Sequence, residues 1–270
     1  MKGLLVTVNF NNWKQTSDLI NSLSEIGEQD LTIAIADNSP QATETRFINE
    51  FMETHKIFYL SLGNNPGYFG GAKLVIDNLG AENYDYIIIC NNDIVIENTD
   101  FFQLLKGSLH KYDVIAPSIR TNDGILQNPH RKGPISVFRK VYSKVFFLNY
   151  YIAKLLVSFI RFKNKATAKM VYPEQIEEEI YSPHGAFVIF AKTYFEKGAI
   201  IDDGYFLYGE EDSIVGQAKK NSLKIGYLPQ LKILHLESIS TGKGFSKSKY
   251  SFQKKAYRYI SKTYGLFSLK

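Results

Sequence analysis

The sequence predicts an α/β protein built around a mostly parallel sheet. Over the first hundred residues, short apolar runs alternate with segments in which apolar residues recur at helical spacing. The run Tyr86–Cys90 is very apolar, which is typical of a strand buried on both faces of a sheet. Strands that alternate with helices in this way indicate βαβ units, whose strands are parallel and whose crossovers are right-handed.

The elements follow from the apolar pattern in chain order. The first strand is predicted at Gly3–Val8, and the first helix contains Leu19, Ile20, Leu23 and Ile26. The other predicted strands are Leu31–Ala36, Ile57–Leu62, Tyr86–Cys90, Ser182–Ala191, Leu223–Leu228 and Leu231–Leu236. The other predicted helices are Phe47–Met52, Leu74–Leu79, Ser213–Asn221 and the basic segment Tyr250–Tyr264. The sequence contains no repeat and no linker, so we expect one domain over residues 1–270.

Composition and charge narrow the function classes. The chain has 270 residues and a single cysteine, which excludes an internal disulfide framework and a zinc site made of clustered cysteines. The net charge of +5 is unevenly distributed, because residues 124–173 contain ten cations and no acid, and residues 232–270 contain nine cations and one acid. Such asymmetry indicates an anionic partner, either a membrane surface or a nucleic acid.

The sequence also predicts where the chain works. The apolar stretch after Met1 is shorter than the core of a secretory signal, which needs roughly 7–15 residues. No stretch reaches the roughly 18 apolar residues of a membrane-spanning helix. We therefore expect a cytoplasmic protein.

Polar segments follow each strand of the first half. They are Asn9–Asn12, Asp37–Pro40, Leu62–Gly71 and Asn91–Asp93. The carboxyl ends of parallel strands meet at one edge of a sheet, where ligands bind in folds of this class. Turns also favour Asn, Asp and Gly, but four such segments at one edge favour a polar ligand.

Two acidic segments are candidates for chemistry. The tripeptide Asn91-Asn92-Asp93 directly follows the buried strand, and the Asp93 carboxylate can bind Mg²⁺ or Mn²⁺, although the same tripeptide is typical of an Asx turn. Glu210, Glu211 and Asp212 follow an aromatic segment and can supply a general base, because burial and like charges raise carboxyl pKa values. The alternative is an acidic first turn that complements a helix dipole.

Two further features are candidates for ligand binding. His235 ends an apolar run and is either a metal ligand or a hydrogen-bonded core histidine. The segment 64–71 contains Asn64, Gly67, Gly70 and Gly71 before a predicted helix, which would let the backbone approach an anion closely. It matches neither a dinucleotide fingerprint nor a phosphate-binding P-loop.

The order of these segments resembles that of family 2 glycosyltransferases with the GT-A fold, particularly bacterial rhamnosyltransferase-like and galactofuranosyltransferase-like enzymes. The matching segments are VTVNFNN (6–12), IADNSP (35–40), NNPGYFGGAK (64–73), IICNNDIVIE (88–97), the stretch 185–220 that contains DDGYFLYGEEDSIVGQ, HLESIST (235–241) and YRYISKTYG (257–265). Together they cover nearly the whole chain except residues 125–178.

The resemblance implies a nucleotide-diphosphate-sugar donor, of the dTDP-rhamnose or UDP-galactose/galactofuranose type, bound at the strand edge with Mn²⁺ or Mg²⁺. The donor-binding residues it implies are Val8, Asn9, Asp37, Asn64, Gly67, Gly70, Gly71, Asn92 and Asp93. Asp93 and His235 would bind the metal, with Asn91 in place of the first Asp of the family's metal motif. Asp212 would be the general base of an inverting transfer, with Glu211 its nearest competitor.

The resemblance also divides the chain and implies its partners. Residues 1–123 would bind the donor, 124–178 would form a basic amphipathic helical insertion, 179–240 would bind the acceptor and carry catalysis, and 241–270 would contain a basic C-terminal helix. The implied acceptor is a glycan or a polyprenyl-diphosphate-linked sugar in bacterial surface polysaccharide synthesis, such as O-antigen or capsule. The insertion would then contact an anionic membrane, placing the enzyme peripherally on the inner face of the cytoplasmic membrane.

Two alternatives compete with this interpretation. The basic and aromatic insertion is also typical of a nucleic-acid-binding module, but that function leaves the acidic half unexplained, and we expect no nucleic-acid partner. A catalytically inactive GT-A domain that serves as a scaffold is the other alternative. Retention of Asp93, Asp212 and His235 together argues against it.

Overall fold

The computed structural model describes residues 1–26, 28, 30–40, 51, 53, 57–164, 176–237 and 245–269. Its strands are β1 (Gly3–Asn9), β2 (Leu31–Asp37), β3 (Phe58–Ser61), β4 (Tyr86–Cys90), β5 (Ile94–Ile96), β6 (Val114–Thr121), β7 (Glu178–Glu179), β8 (Phe187–Ala191) and β9 (Ile225–His235). Its helices are α1 (Trp13–Ile26), α2 (Tyr68–Leu79), α3 (Phe101–Ser108), α4 (Val137–Phe146), α5 (Tyr150–Asn164), α6 (Lys192–Glu196), α7 (Glu210–Lys220) and α8 (Lys247–Tyr264).

One sheet joins these strands in the order β3-β2-β1-β4-β8-β6-β9-β5, and β7 pairs with β9. The pairs β3/β2, β2/β1, β1/β4 and β6/β9 are parallel, whereas β8 runs antiparallel to both of its neighbours. The short strands β5 and β7 also run antiparallel to β9. Six of the nine strands therefore share one direction, and the prediction of a mostly parallel sheet is confirmed.

The hydrophobic core lies on both faces of the sheet because side chains alternate along each strand. On β1, Leu4 and Val6 pack in the cluster that includes residues of α2, α7 and α8, whereas Leu5 packs in the cluster that includes residues of α1 and α3. The central strands β4 and β8 are buried at every position. The polar segments that follow these strands are therefore attached to a tightly packed apolar core.

Most predicted elements match the structure, with two differences. The predicted strands Leu223–Leu228 and Leu231–Leu236 form the single strand β9, which runs past Pro229 because the register shifts opposite Pro117 and Ser118. The irregularity spares Pro229 a ladder position that it cannot fill as a donor. The predicted helix Phe47–Met52 lies mostly outside the described residues.

The insertion contains two helices, α4 and α5, separated by a short turn. The side chain of Ser136 caps α4 by accepting a hydrogen bond from the Arg139 backbone N–H. Among the described residues, no helix combines the length and the apolar composition that are needed to cross a membrane.

Candidate active site

A cavity of about 660 Å³ lies beside the carboxyl ends of β1, β2 and β4, within the volume range of small-molecule sites. It is lined by Val8, Phe10, Asn12, Asn38, Asn65, Gly67, Tyr68, Asn91, Asn92, Asp93, Gln127, His184, Gly185, Ala186, Phe206, Leu207, Tyr208, Glu210, Glu211, His235, Glu237 and Lys249. We call it the main cavity. Residues from both halves of the chain therefore meet at the predicted edge.

A buried network of polar side chains lies at the carboxyl ends of β1 and β2. Asn9 and Asp37 are opposite each other in the parallel register, and the Asn9 amide donates to Asp37 Oδ1 at 2.9 Å. Asp37 also accepts hydrogen bonds from the Ser39 hydroxyl at 2.6 Å and from the Tyr59 hydroxyl at 2.8 Å. Both residues are fully buried and lie outside the cavity lining, whereas Val8 lines it. Asp37 therefore fixes the two loops from below.

The glycine-rich segment packs closely against its neighbours. Gly67 lines the main cavity at a φ of 92°, and a side chain there would overlap the Phe206 carbonyl oxygen. Gly71 is buried against the Asn38 side chain, whose amide donates to the Gly67 carbonyl oxygen at 2.9 Å. Gly70 is buried beside Pro66.

Asn64 is exposed and does not line the cavity, whereas the next residue, Asn65, does. Asn65 Oδ1 accepts hydrogen bonds from the Asn38 amide at 3.0 Å and from the Gly67 N–H at 3.0 Å. The amide that faces the cavity is therefore one residue further along the chain than the sequence prediction.

Asp93 and His235 form a close pair in the main cavity. The distance between Asp93 Oδ1 and His235 Nε2 is 3.2 Å, and both side chains are buried. The Leu236 N–H donates to the Asp93 carbonyl oxygen at 2.9 Å, which holds the end of β9 against the turn after β4. On the other side of the ring, His235 Nδ1 lies 2.8 Å from Gln127 Oε1. Gln127 thus contacts the ring nitrogen that faces away from Asp93.

Asn91 and Asn92 connect the turn after β4 to two different parts of the structure. The Asn91 amide lies 3.3 Å from His235 Nε2, and both residues line the main cavity. Asn92 also lines the cavity, but its amide donates to the Thr16 hydroxyl at 3.0 Å and so ties the turn to α1.

The first turn of α7 contributes two further carboxylates to the main cavity. Glu210 and Glu211 both line the main cavity, and Glu211 Oε1 accepts a hydrogen bond from the Gly185 N–H at 3.1 Å. Within the described residues, Glu210 Oε1 is buried without a hydrogen-bond partner. Burial, with smaller contributions from Cys90, Glu210, Asp93 and Glu211, raises the pKa of the Tyr68 hydroxyl, and Tyr68 lines the same cavity as the three carboxylates.

Asp212 points away from the main cavity. Its carboxylate forms an ion pair with the Arg131 guanidinium and lines a second, adjacent cavity. Along the first turn of α7 the direction of the side chains rotates, so Glu210 and Glu211 line the main cavity and Asp212 lines its neighbour. The two candidates for the general base thus have different surroundings.

Burial and neighbouring charge separate the two glutamates electrostatically. Burial, reinforced by the Glu211 charge, raises the pKa of Glu210 to about 8. Burial also raises the pKa of Glu211, but His184, His130 and the Gly185 N–H outweigh it and lower the pKa below its ordinary value. Burial lowers the pKa of His184 to about 4. At neutral pH, Glu210 is therefore a neutral acid and Glu211 a carboxylate, a division typical of acid–base sites.

The structure thus gathers Val8, Gly67, Asn92, Asp93, Glu211 and His235 in one cavity and leaves Asn9, Asn64, Asp37, Gly70, Gly71 and Asp212 outside its lining. The sequence analysis did not single out Asn38, Tyr68, Gln127, His184, Gly185 and Tyr208 as site residues. His184 and Gly185 precede a strongly apolar strand, as Asn91 follows one, and that shared position was the available signal.

No family model matches the chain. The chain is similar to the low-salt glycan biosynthesis hexosyltransferase Agl10 of Haloferax volcanii, at 20% identity over 239 residues that cover 87% of this chain and 67% of that protein.

Two solved structures share the fold. GalNAc-T7 with UDP, GalNAc and Mn²⁺ matches with a TM-score of 0.64 at 12% identity, covering 97% of this chain and 48% of that one. S. aureus TarS 1–349 in complex with UDP-GlcNAc matches with a TM-score of 0.58 at 13% identity, covering 97% of this chain and 66% of that one. The chain thus spans about half the length of GalNAc-T7 and about two thirds of the TarS fragment.

The fold and the site together define the class of protein. The chain has the GT-A fold of these solved structures, with a central α/β sheet that is mostly parallel. The similarity to the hexosyltransferase Agl10 supports glycosyltransferase activity.

Glu210→Gln tests the separation of the two glutamates. Because folding raises the pKa of Glu210 to about 8, the folded chain binds more protons than the unfolded chain between pH 5 and 8. Glu210 therefore makes the free energy of unfolding fall as pH rises across this window, by up to about 1 kcal/mol per pH unit. Glutamine does not titrate, so urea unfolding at pH 5, 6.5 and 8 should show a growing stability advantage of the variant.

Glu196→Gln is the matched control, because Glu196 is an exposed carboxyl on α6. We expect it to leave the pH dependence of unfolding unchanged. Equal pH slopes for Glu210→Gln and wild type would contradict the assignment of a neutral Glu210.

Proposed function

We propose that the chain is an inverting, metal-dependent glycosyltransferase that moves a sugar from a nucleotide-diphosphate donor to an acceptor hydroxyl. The observation that carries the proposal is the convergence of the Asp93–His235 pair and the Glu211 carboxylate on one cavity around Tyr68. The Asp93–His235 pair would bind the metal ion that a donor diphosphate needs, and the Glu211 carboxylate would accept the proton of the attacking hydroxyl.

The loops after β1 and β2 would bind the nucleoside part of the donor. Phe10 is 47% exposed at the edge of the cavity, where its ring is available to stack on a base. Asn12, Asn38 and Asn65 line the same region and offer amide groups to a ribose or a base. Asn9 and Asp37 would position these loops from beneath. The likeness to GalNAc-T7 with UDP and GalNAc and to TarS with UDP-GlcNAc supports a UDP-sugar donor. The family resemblance of the sequence adds UDP-galactose, UDP-galactofuranose and dTDP-rhamnose as candidate donors.

The Asp93–His235 pair fits a divalent cation. Ligands about 2.1 Å from one ion and at right angles to each other lie about 3 Å apart, close to the 3.2 Å between Asp93 Oδ1 and His235 Nε2. Gln127 would hold Nδ1, so that Nε2, the nitrogen on the Asp93 side of the ring, would be the one that binds the ion. A bound Mn²⁺ or Mg²⁺ would offset the negative charge that develops on the leaving diphosphate. Donor phosphates and water would complete its coordination.

Glu211 is the general base that the geometry supports. Its Oε1 is held by the Gly185 N–H, so the carboxylate is fixed where its other oxygen can accept a proton from an acceptor hydroxyl. The hydroxyl oxygen then attacks the anomeric carbon from the face opposite the diphosphate, which leaves with the bonding electrons and inverts the configuration. Asp212, the first candidate from the sequence, instead pairs with Arg131.

The donor sugar would lie between these two groups. Glu210, neutral at pH 7 and without a partner for Oε1 in the described chain, is suited to hydrogen-bond a sugar hydroxyl. Phe206, Leu207 and Tyr208 provide an apolar and aromatic wall against which the ring can pack.

An inactive scaffold with the GT-A fold is the alternative function. It is disfavoured because a scaffold needs neither an ionised Glu211 in a ligand-sized cavity nor a buried carboxylate–imidazole pair beside it. Hydrolysis of a nucleotide sugar in the presence of Mn²⁺ separates the two functions, since the scaffold hydrolyses none.

The acceptor would be a glycan or a polyprenyl-diphosphate-linked sugar, and the enzyme would work on the inner face of an anionic membrane. The insertion supports this part of the proposal, because both of its helices expose large apolar side chains among cations. On α5, Tyr151, Leu155 and Phe159 are 67%, 71% and 69% exposed at a spacing of four residues. Lys154 lies on the same helix, and residues 124–173 contain no acid.

Glu211→Gln and Asp212→Asn, compared side by side, test the mechanism. We expect Glu211→Gln to lower sugar release from the donor by about 10²–10⁴-fold, because it removes a general base, while UDP affinity stays within about threefold. Asp212→Asn should retain most of the activity. The measurement is UDP or dTDP release from UDP-galactose, UDP-galactofuranose and dTDP-rhamnose with Mn²⁺. Activity lost only in Asp212→Asn would contradict the assignment and restore Asp212 as the base.

Liposome flotation tests membrane contact. The double variant Leu155→Ser and Phe159→Ser removes apolar area from α5, so we expect recovery with vesicles that contain 30% anionic lipid to fall severalfold. Ile200→Ser is the control, because Ile200 is 54% exposed elsewhere on the surface. Recovery that is equally high for the double variant, or absent for wild type, would contradict membrane contact through α5.

A further inference from the structure

A second cavity, of about 320 Å³, lies between α4 of the insertion, the first turn of α7 and α8. Its walls are mainly aromatic and include Tyr142, Phe146, Tyr208, Tyr257 and Phe267. Arg139 and Ser143 add polar groups on the α4 side. We call it the carrier cavity. The proposed transfer reaction, as described for the main cavity, does not use it.

The sequence of α4 divides the helix into two faces. Arg139, Tyr142, Ser143 and Phe146 recur at i, i+3, i+4 and i+7, and all line the carrier cavity. Phe138, Val141 and Val145 occupy the other face and are 82%, 45% and 40% exposed. One helix thus joins an aromatic cavity to an exposed apolar surface, which suits a ligand whose apolar chain continues out of the cavity.

The charge of the carrier cavity favours an anion. Arg139 forms no ion pair with a carboxylate in the described part of the chain. The nearby acid Asp212 is already paired with Arg131. A guanidinium presents two parallel N–H donors to a phosphate, which makes Arg139 the group in this cavity that is suited to bind one.

The carrier cavity adjoins the main cavity. Tyr208 lines both, and its backbone is in the left-handed region at a φ of 68°, an unfavourable conformation for a tyrosine. Glu211 and Asp212, whose Cα atoms are about 3.8 Å apart, face the main cavity and the carrier cavity respectively. A ligand in the carrier cavity therefore lies about one side chain away from the general base.

We propose that the carrier cavity binds the phosphate and the first isoprenoid units of a prenyl-phosphate-linked acceptor, whose sugar then reaches Glu211 past Tyr208. The proposal rests on the transferase function proposed above. Arg139 binds the phosphate, the aromatic walls hold the branched chain, and the exposed face of α4 passes the rest of the chain to the bilayer. A phospholipid shares this phosphate and apolar chemistry, but the cavity volume suits one chain better than two.

Titration calorimetry with farnesyl phosphate, below its micelle concentration, tests the proposal. Wild type should bind farnesyl phosphate at least tenfold more tightly than inorganic phosphate, farnesol or dihexanoyl phosphatidic acid. Arg139→Ala should weaken farnesyl phosphate binding at least tenfold, because it removes the anion contact. Ser143→Phe should weaken it as strongly, because the ring fills the cavity while the exposed face of α4 is unaltered.

Lys144→Ala is the matched control, since it removes a cation from the exposed side of the same helix. We expect its affinity to stay within twofold of wild type. Equal binding by wild type and Ser143→Phe, preference for phosphatidic acid, or no binding at all would overturn the proposal.

A parallel titration of wild type with UDP and Mn²⁺ separates this inference from the proposed function. Farnesyl phosphate binding without UDP binding would refute the donor site and leave the carrier cavity in place. UDP binding without farnesyl phosphate binding would refute the carrier cavity alone.

Discussion

The antiparallel pairing of β4 with β8 is the contact on which the site depends. It places Cys90 opposite Phe187 at the end of two strands that are buried at every position. Just beyond that pair, the Asn91 N–H donates to the Ala186 carbonyl oxygen at 2.9 Å. This bond joins the turn that carries Asp93 to the turn that carries His184 and Gly185. Through Gly185, it also fixes the distance from Asp93 to Glu211.

This arrangement explains how several ionisable groups are kept in one partly closed space. A buried charge is costly unless it is paired or neutralised. Asp93 has His235, Asp212 has Arg131 and Glu211 has the Gly185 N–H, while Glu210 holds its proton because its pKa is raised to about 8. The acidic first turn of α7 thus contacts the basic insertion through Asp212 and Arg131, and Tyr208 lines both cavities.

The sheet was largely predictable because a strand that is buried on both faces, such as β4, is a continuous run of apolar residues in the sequence. The Asp93–His235 pair was also predictable, through the resemblance, since Asp93 lies in the turn after β4 and His235 ends β9. The choice between Glu211 and Asp212 was not, because one residue on a helix changes the direction of a side chain by about 100° and the sequence does not fix where α7 enters the site. The sequence analysis likewise named Asn64 as a donor-binding residue where Asn65 lines the cavity, because the sequence of a loop does not show which side chain faces inward.

Other site residues contact partners that are distant in the sequence, and the residues around them give little indication of these contacts. Gln127 is 108 residues from His235, and Arg131 is 81 residues from Asp212, yet each pair is in contact. Such long-range pairs depend on the register of β6 against β9 and on the cap of α4, which neither composition nor periodicity reveals. The carrier cavity depends likewise on how α4 packs beside α8.

The most direct test of the donor site is a calorimetric titration of UDP with and without Mn²⁺, on wild type, Asp93→Asn and the surface control Asp123→Asn. If Asp93 and His235 bind a metal that holds the diphosphate, Mn²⁺ should tighten UDP binding at least tenfold in wild type and in Asp123→Asn. The same ion should have no effect in Asp93→Asn. Mn²⁺-independent binding in wild type, or an undiminished Mn²⁺ effect in Asp93→Asn, would contradict the site.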